Sequence, residues 1–131
     1  MDIVIAAFCY TGKKEKFRIL LITSSTGRWI IPKGQPEKQK KRRIVALEEA
    51  WEEGGVIGKI SGTGRDIIVK RGSRQLWRFY PVKIKDLADT WPEDSYRERR
   101  LVTPDEAAEL IDSRGLVRAV LEMSDKIQRD S

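Results

Sequence analysis

The chain has 131 residues, of which 40% are hydrophobic and 35% are charged, and its formal net charge is +6. This length fits one domain with its own hydrophobic core, and the composition is that of a globular chain rather than a disordered or membrane-spanning one. Histidine is absent and there is one cysteine, which excludes Ser-His and Cys-His catalysis, histidine-ligated metals and an internal disulfide. The positive charge favours an anionic partner.

The apolar and cysteine content predicts the compartment. The longest apolar stretch, residues 3–10, is too short to cross a bilayer, and Asp2 stands where a signal peptide requires positive charge. Cys9 lies inside that stretch, where a free cysteine usually belongs to the core. We therefore expect a cytoplasmic protein with no membrane partner, and the sequence leaves open whether it is a monomer or a homodimer.

The first half of the chain predicts strands followed by a helix. Residues 3–10 and 17–23 have strand character, and residues 32–36 form a loop by their proline and glycine content. A helical pattern covers residues 41–53, and the two glycines that follow predict its C-terminal end.

The second half of the chain returns to strands and ends in helices. Residues 56–70 and 75–84 have strand character, and a hairpin turn separates them. Thr103, followed by proline and two acidic residues, predicts the start of a second helix, and residues 116–127 predict a last helical segment. This order of elements indicates a mixed sheet covered by helices on both sides.

The helix at 41–53 carries a row of carboxylates. At about 100° per residue, Glu49, Glu52 and Glu53 share one side of the helix. Three apolar residues on the opposite side form the expected buried stripe: Ile44, Leu47 and Trp51. Carboxylate-only sites suit Mg²⁺ or Mn²⁺, although most glutamate-rich helix faces are simply solvated. The helix alone leaves both interpretations open.

The residues around this row resemble the Nudix box. That box has a glycine, a spacer, Arg-Glu, an apolar residue, any residue, Glu-Glu, any residue, Gly and an apolar residue. The positions of this chain that match in register are Gly34, Glu49, Glu52, Glu53, Gly55 and Val56. The preceding segment, Trp-Ile-Ile-Pro-Lys-Gly, also matches the usual approach to the box.

Two positions depart from that pattern with reversed charge. Lys40 stands where the box has glutamate, and Glu48 stands where it has arginine. In the family these two residues look mainly structural, bracing the loop against the helix. We therefore predict that an attractive pair survives here in exchanged form.

The resemblance implies a fold and a reaction. The fold would be the Nudix α/β/α sandwich, with a mixed β-sheet between helices, as a single domain over residues 1–131. The reaction would be metal-dependent hydrolysis of a phosphoanhydride with Mg²⁺ or Mn²⁺ as the cofactor. Glu49 and Glu53 would bind the metal, Glu52 would be the base, and a backbone carbonyl of Lys33 or Gly34 would complete the metal shell. Glu53 is expected to have no role in the core.

The whole-chain pattern is most similar to the branch that hydrolyses diphosphoinositol polyphosphates and diadenosine polyphosphates. The supporting segments are residues 20–25 before Arg28-Trp29, and residues 91–95 before a basic strand. A small phosphorylated anionic substrate needs dispersed cations. The candidates for binding it are Arg28, Lys33, Arg71, Arg74, Arg97 and Arg99.

Two other classes of function are compatible with the residues. The departures in the box motivate a catalytically weak Nudix-fold module that binds an anionic ligand. The net charge and the alternation of aromatic and basic residues over 75–80 motivate a basic nucleic-acid-binding protein. We rank nucleic acid below the small substrate, because a carboxylate row repels phosphate unless a metal ion is present. Phosphate binding that requires Mg²⁺ would favour the enzyme.

Overall fold

The computed structural model describes all 131 residues as one mixed sheet with three α-helices. The strands are β1 (Asp2–Thr11), β2 (Arg18–Thr23), β3 (Trp29–Ile30), β4 (Lys33–Gly34), β5 (Val56–Ile60), β6 (Arg65–Arg71), β7 (Ser73–Leu87) and β8 (Arg99–Val102). The helices are α1 (Arg42–Gly54), α2 (Pro104–Leu110) and α3 (Arg114–Asp130), with a short 3-10 helix at Lys14–Lys16.

The centre of the sheet is the parallel pair β1–β7, and every other pairing is antiparallel. The strand order is β3-β2-β1-β7-β5, with β4 on β1, β6 on β7 and β8 on β2. Consecutive side chains of a strand point to opposite faces, and residues 5–9 of β1 are all fully buried. Both faces of the sheet are therefore covered, and the expected sandwich with a mixed sheet is confirmed.

The α-helices pack against different strands of the sheet. Helix α1 packs against β1, β2, β4 and β5, and α3 packs against β6 and β7. The capping box that Thr103 forms with Glu106 starts α2, as the sequence predicts. None of the three helices is both long enough and apolar enough to cross a membrane.

The strand predicted at residues 56–70 is two strands. The segment between β5 and β6 contains Gly62 and Gly64, and no strand continues through it. Glycine has no side chain to pack on a sheet, so it interrupts a strand that the flanking residues would support. The hairpin turn is confirmed, and Gly72 lies at its centre with φ of 71°.

The orientation of α1 differs from the expected one. Ile44 and Trp51 are 41% and 39% exposed, whereas Val45, Ala46 and Ala50 are buried. The prediction of a buried stripe through Ile44, Leu47 and Trp51 is therefore wrong for Ile44 and Trp51, whereas Leu47 is half-buried and packs against the core. The helix lies on the sheet through its small residues, which permit a closer approach than isoleucine and tryptophan would. This orientation turns part of the carboxylate row inward.

Candidate active site

Glu53 lies at the inward side of α1 and is held by two groups. The side chain belongs to a residue only 8% exposed. Its Oε1 accepts a hydrogen bond of 3.0 Å from the backbone N–H of Lys33 in β4, and its Oε2 lies 3.5 Å from the Arg97 guanidinium. The expectation that Glu53 has no core role is therefore wrong. These partners offset the cost of burying a carboxylate and fix its direction.

Glu49 lies one helical turn earlier, against the backbone of Gly34. A Cβ atom added to Gly34 would lie 2.6 Å from the Glu49 carboxyl carbon and 2.7 Å from its Oε1. Only glycine leaves room for the carboxylate at this point of β4. The glycine that the box requires at position 34 is thus explained by its contact with Glu49.

The two carboxyl groups act on each other in opposite directions: Glu53 raises the pKa of Glu49, whereas the hydrogen bond with Glu49 lowers the pKa of Glu53. Burial, and next the adjacent Glu53 carboxyl, raise the pKa of Glu49 from 4.5 to about 8. Burial also raises the pKa of Glu53, against the opposing effects of the Lys33 N–H group and Arg97. A buried and a half-buried carboxylate side by side, next to a strand backbone, fit a hard divalent cation, because such an ion stabilises their ionised forms and prefers oxygen ligands.

Glu52 stands apart from this pair. No set of three or more His, Cys, Asp or Glu side chains converges closely enough to hold a metal ion. The expected cluster of three glutamates is therefore a pair, formed by Glu49 and Glu53. The charge of Glu52 still raises the pKa of Glu49, so its carboxylate lies near the pair. On a helical wheel of α1, Glu52 falls at the edge of the buried face of the helix rather than at the centre of that face.

Glu93 is a further acidic residue at the site. Its Oε1 accepts a hydrogen bond of 2.6 Å from Arg97, whose guanidinium also donates to the Thr23 carbonyl at 2.7 Å. The charge of Glu93 raises the pKa of both Glu49 and Glu53. Sequence reasoning missed Glu93, because it lies in an irregular connection with no periodicity to relate it to α1.

Three of the predicted cations lie near the carboxylate pair or in an adjacent groove. Burial and the neighbouring charge of Arg71 lower the pKa of Lys33, and Glu53 and Glu49 act in the opposite direction. Arg28 and Arg71 line a groove of about 730 Å³, together with residues around the start of α3. The cations that the sequence did not single out there are Lys70, Arg114 and Arg118. Lys33, Glu49 and Glu53 do not line this groove, and the charge of Arg71 on Lys33 is the link between the groove and the carboxylate pair.

The remaining predicted cations have other positions. Arg74 is exposed opposite Lys70 in the β6–β7 hairpin and does not line the groove. Arg97 is engaged by Glu53 and Glu93. Arg99 donates to the Gly54 and Ala88 carbonyls at 2.9 and 2.6 Å. The structure thus gives Arg97 and Arg99 protein partners in place of free positions for a substrate.

The aromatic residues over 75–80 do not form an exposed platform. Trp77 and Phe79 are fully buried and stack on each other with ring centroids 5.6 Å apart. Base stacking requires an accessible ring face. This feature therefore gives no support to the nucleic-acid interpretation.

The exchanged charge pair is present. The Lys40 ammonium lies 2.9 and 3.0 Å from the two carboxylate oxygens of Glu48, and 3.4 Å from Glu37. The prediction of an attractive pair with reversed signs is confirmed. It joins the loop before α1 to the outer side of that helix, where the charges of the box pattern are inverted.

We expect each single charge reversal, Lys40→Glu or Glu48→Arg, to lower the melting temperature slightly, because each places like charges together. The double variant should recover most of that loss, since it restores the attraction. Thermal unfolding of the four proteins in low salt measures this coupling. Losses that simply add in the double variant would contradict it.

Comparisons with known proteins relate the chain to a group of hydrolases. It is 32% identical over 102 residues to Nudix hydrolase 16, mitochondrial, of Arabidopsis thaliana, which covers 70% of this chain and 57% of that protein. It is 29% identical over 92 residues to human diphosphoinositol polyphosphate phosphohydrolase 3-alpha, over 69% of this chain and 55% of the relative. The chain therefore spans about half the length of these relatives. No family model matches the chain.

Solved structures share the fold at low identity. An Ap4A hydrolase of C. elegans in a binary complex superimposes with a TM-score of 0.76 and 15% identity, over 97% of this chain and 98% of that one. A NUDIX hydrolase from Nitrosomonas europaea gives a TM-score of 0.75 and 14% identity, over 97% and 90% of the two chains. At such identities the likeness is one of fold.

Proposed function

Since this chain belongs to the Nudix hydrolase family, we propose that it hydrolyses a phosphoanhydride bond of a small phosphorylated substrate with the aid of Mg²⁺ or Mn²⁺. The observation that carries this proposal is the adjacent pair of half-buried Glu49 and buried Glu53 against the Lys33–Gly34 backbone. Two adjacent carboxyl groups with raised pKa values are costly to ionise unless a cation lies between them. Their cost to folding is understandable if the pair binds a metal ion.

Each residue then has a role that its position supports. Glu49 and Glu53 hold the ion, with a carbonyl of Lys33 or Gly34 as a further ligand. Bound by these residues, a divalent ion would supply positive charge for the diphosphate and would lower the pKa of a bound water. Glu52, beside the pair, is the candidate that takes a proton from the attacking water.

The groove lined by Arg28 and Arg71 would bind the rest of the substrate. Its lining contains five cationic side chains: Arg28, Lys70, Arg71, Arg114 and Arg118. Only one carboxylate, Asp112, is in this lining, at 4.0 Å from Arg28. This excess of positive charge suits a ligand with several phosphates. The named activities of the relatives, on diphosphoinositol polyphosphates and on Ap4A, are of this class.

Between those two substrates, one side chain offers a distinction. Trp29 lines the groove among the cations, and an indole face can stack on an adenine base but has no such partner in an inositol phosphate. If a diadenosine polyphosphate is the substrate, Trp29→Leu should raise KM for it. Equal kinetics in Trp29→Leu would favour the diphosphoinositol.

The direct experiment is a substrate panel with Mg²⁺, with Mn²⁺ and with a chelator. The panel contains a diphosphoinositol, a diadenosine polyphosphate, ADP-ribose and a nucleoside triphosphate, and the products are separated and identified. We expect metal-dependent cleavage of at least one phosphate-rich compound. Metal-dependent binding without turnover would point instead to a binding module, and tight binding in chelator to a basic surface without this chemistry.

Two arginines at the β6–β7 hairpin provide a matched test of the groove. We expect Arg71→Gln to raise KM roughly 10- to 100-fold, because a hydrogen bond between charged groups contributes about 1.5–3 kcal/mol. Arg74→Gln, a change of the same chemistry outside the groove, should leave KM within about 2-fold of the unmodified chain. Equal effects of the two changes would remove the groove from the proposal.

The cytoplasmic location also stays a prediction.

A further inference from the structure

The C-terminal end of α1 is capped by a different part of the chain. The last carbonyls of a helix have no partner within the helix. Here the N–H groups of the connection between β7 and β8 satisfy two of them: Glu93 N–H donates to the Glu52 carbonyl at 3.1 Å, and the Trp91 indole N–H donates to the Glu53 carbonyl at 3.1 Å. The cap therefore begins at the carbonyls of Glu52 and Glu53.

Arg99 at the start of β8 extends this cap. Its guanidinium donates to the Gly54 carbonyl at 2.9 Å and to the Ala88 carbonyl at 2.6 Å, and it lies 4.0 Å over the Trp91 ring. A cation is favourable at the negative end of a helix. The stacked pair of Trp91 and Arg99, which we call the clamp, thus joins the last turn of α1 to β8 and to the end of β7.

The fit at the clamp is close. Gly55 ends α1 with φ of 64°, and a Cβ atom there would lie 2.6 Å from Arg99 Nη1 and 2.9 Å from the Trp91 ring. Both backbone conformation and space require glycine. The last turn of α1 is consequently held between the clamp on one side and the Lys33 N–H bond of Glu53 on the other.

We infer that Trp91 and Arg99 are positioning residues that set the orientation of the Glu49 and Glu53 carboxylates toward β4. Glu53 is the link, because its carbonyl accepts from Trp91 while its side chain accepts from Lys33. A change in the clamp shifts the turn that bears Glu53, and the carboxylate one turn earlier moves with it. As a statement about metal binding, the inference rests on the proposed function.

The Lys33 amide gives a readout that needs neither metal nor substrate. Its hydrogen-bond acceptor is the Glu53 carboxylate, so its exchange rate with solvent and its proton chemical shift report the placement of that side chain. We expect Trp91→Phe, which keeps the ring and loses the N–H, to speed exchange of this amide roughly 10-fold. Arg99→Met, which keeps much of the side-chain volume, should act in the same direction, and Arg99→Lys should recover part of the loss.

Arg100→Met is the matched control, since Arg100 is exposed on the same strand and has no partner in the cap. It should leave the Lys33 amide unchanged. Mn²⁺ titration of the same proteins should show affinity roughly 10-fold weaker in Trp91→Phe and in Arg99→Met, and unchanged in Arg100→Met.

The inference would be overturned if, in both clamp variants, the Lys33 amide exchanged within 2-fold of its rate in the unmodified chain and its chemical shift were the same within error. Faster exchange with unaltered Mn²⁺ affinity would also overturn it. If the unmodified chain binds no Mn²⁺, the proposed function fails, while the Lys33 amide still decides whether the clamp positions Glu53.

Discussion

Glu53→Gln should reduce the proposed phosphoanhydride hydrolysis by roughly 100-fold or more, because it removes one of the two charged ligands proposed for the metal ion, whose stabilisation of a transition state is worth several kcal/mol. The change is nearly isosteric. The amide oxygen can still accept the 3.0 Å hydrogen bond from the Lys33 N–H group, so the link between α1 and β4 can persist. The charge of the carboxylate is what the variant loses.

The stability of Glu53→Gln should not fall in metal-free buffer. The carboxyl is buried and its pKa is raised, so the neutral amide avoids a cost of burial that the carboxylate carries. The loss of the 3.5 Å contact with Arg97 works in the other direction. Arg97 keeps its bonds to Glu93 and to the Thr23 carbonyl, which limits that loss.

Turnover, Mn²⁺ affinity and thermal unfolding should be measured together for Glu53→Gln and for Glu109→Gln. Glu109 is exposed on α2, away from the carboxylate pair, so it controls for loss of one negative charge. We expect the control to match the unmodified chain in all three measurements. Near-normal hydrolysis by Glu53→Gln would remove this residue from the site.

The long strands at the start of the chain and the ends of the helices could be predicted from the sequence, because short-range physics determines them. Glycine alone suits the left-handed conformation that ends α1 at Gly55, and Thr103 followed by proline starts α2. The Lys40–Glu48 ion pair could also be predicted, because exchanging the signs of two paired charges leaves them attracted to each other.

The side of α1 that packs on the sheet could not be predicted from the periodicity of its apolar residues. The wheel ranks side chains by apolar size, but the distance between helix and sheet decides which of them is buried. Ala46 and Ala50 permit close packing, and Glu53 can join them only because Lys33 and Arg97 satisfy its carboxylate. Such compensation comes from residues distant in sequence, which no local pattern reveals.

The partners of the helix end and of the groove were hidden for a related reason. Trp91 and Glu93 from an irregular connection, with Arg99 from β8, cap the C-terminal end of α1. Arg114 and Arg118 line the groove from the start of α3. Cationic side chains in a basic chain look equivalent until the fold assigns some to carbonyls and leaves others facing a groove. The sequence could count these cations without sorting them.

Without metal ions, the melting temperature of the chain should fall as the pH rises from about 5 to about 8. The pKa of the Glu49 carboxyl is raised in the folded protein from 4.5 to about 8, so the folded state retains a proton that the unfolded state has released. The stability associated with that proton is fully present below about pH 4.5 and is lost as the pH passes through about 8. The raised pKa of Glu53 has the same sign.

The chain has no histidine, so no imidazole titrates in this window and obscures the effect. Thermal unfolding from pH 5 to pH 9 in chelator should show the decline, and Glu49→Gln should flatten it, because the amide cannot ionise. Glu109→Gln should retain the full slope. Added Mn²⁺ should raise the melting temperature most at the alkaline end, since the ion competes with protons for the same oxygens. A metal-free profile that is flat, or that rises toward pH 8, would mean that Glu49 and Glu53 do not share a buried site, and the case for a metal ion between them would lose its electrostatic basis.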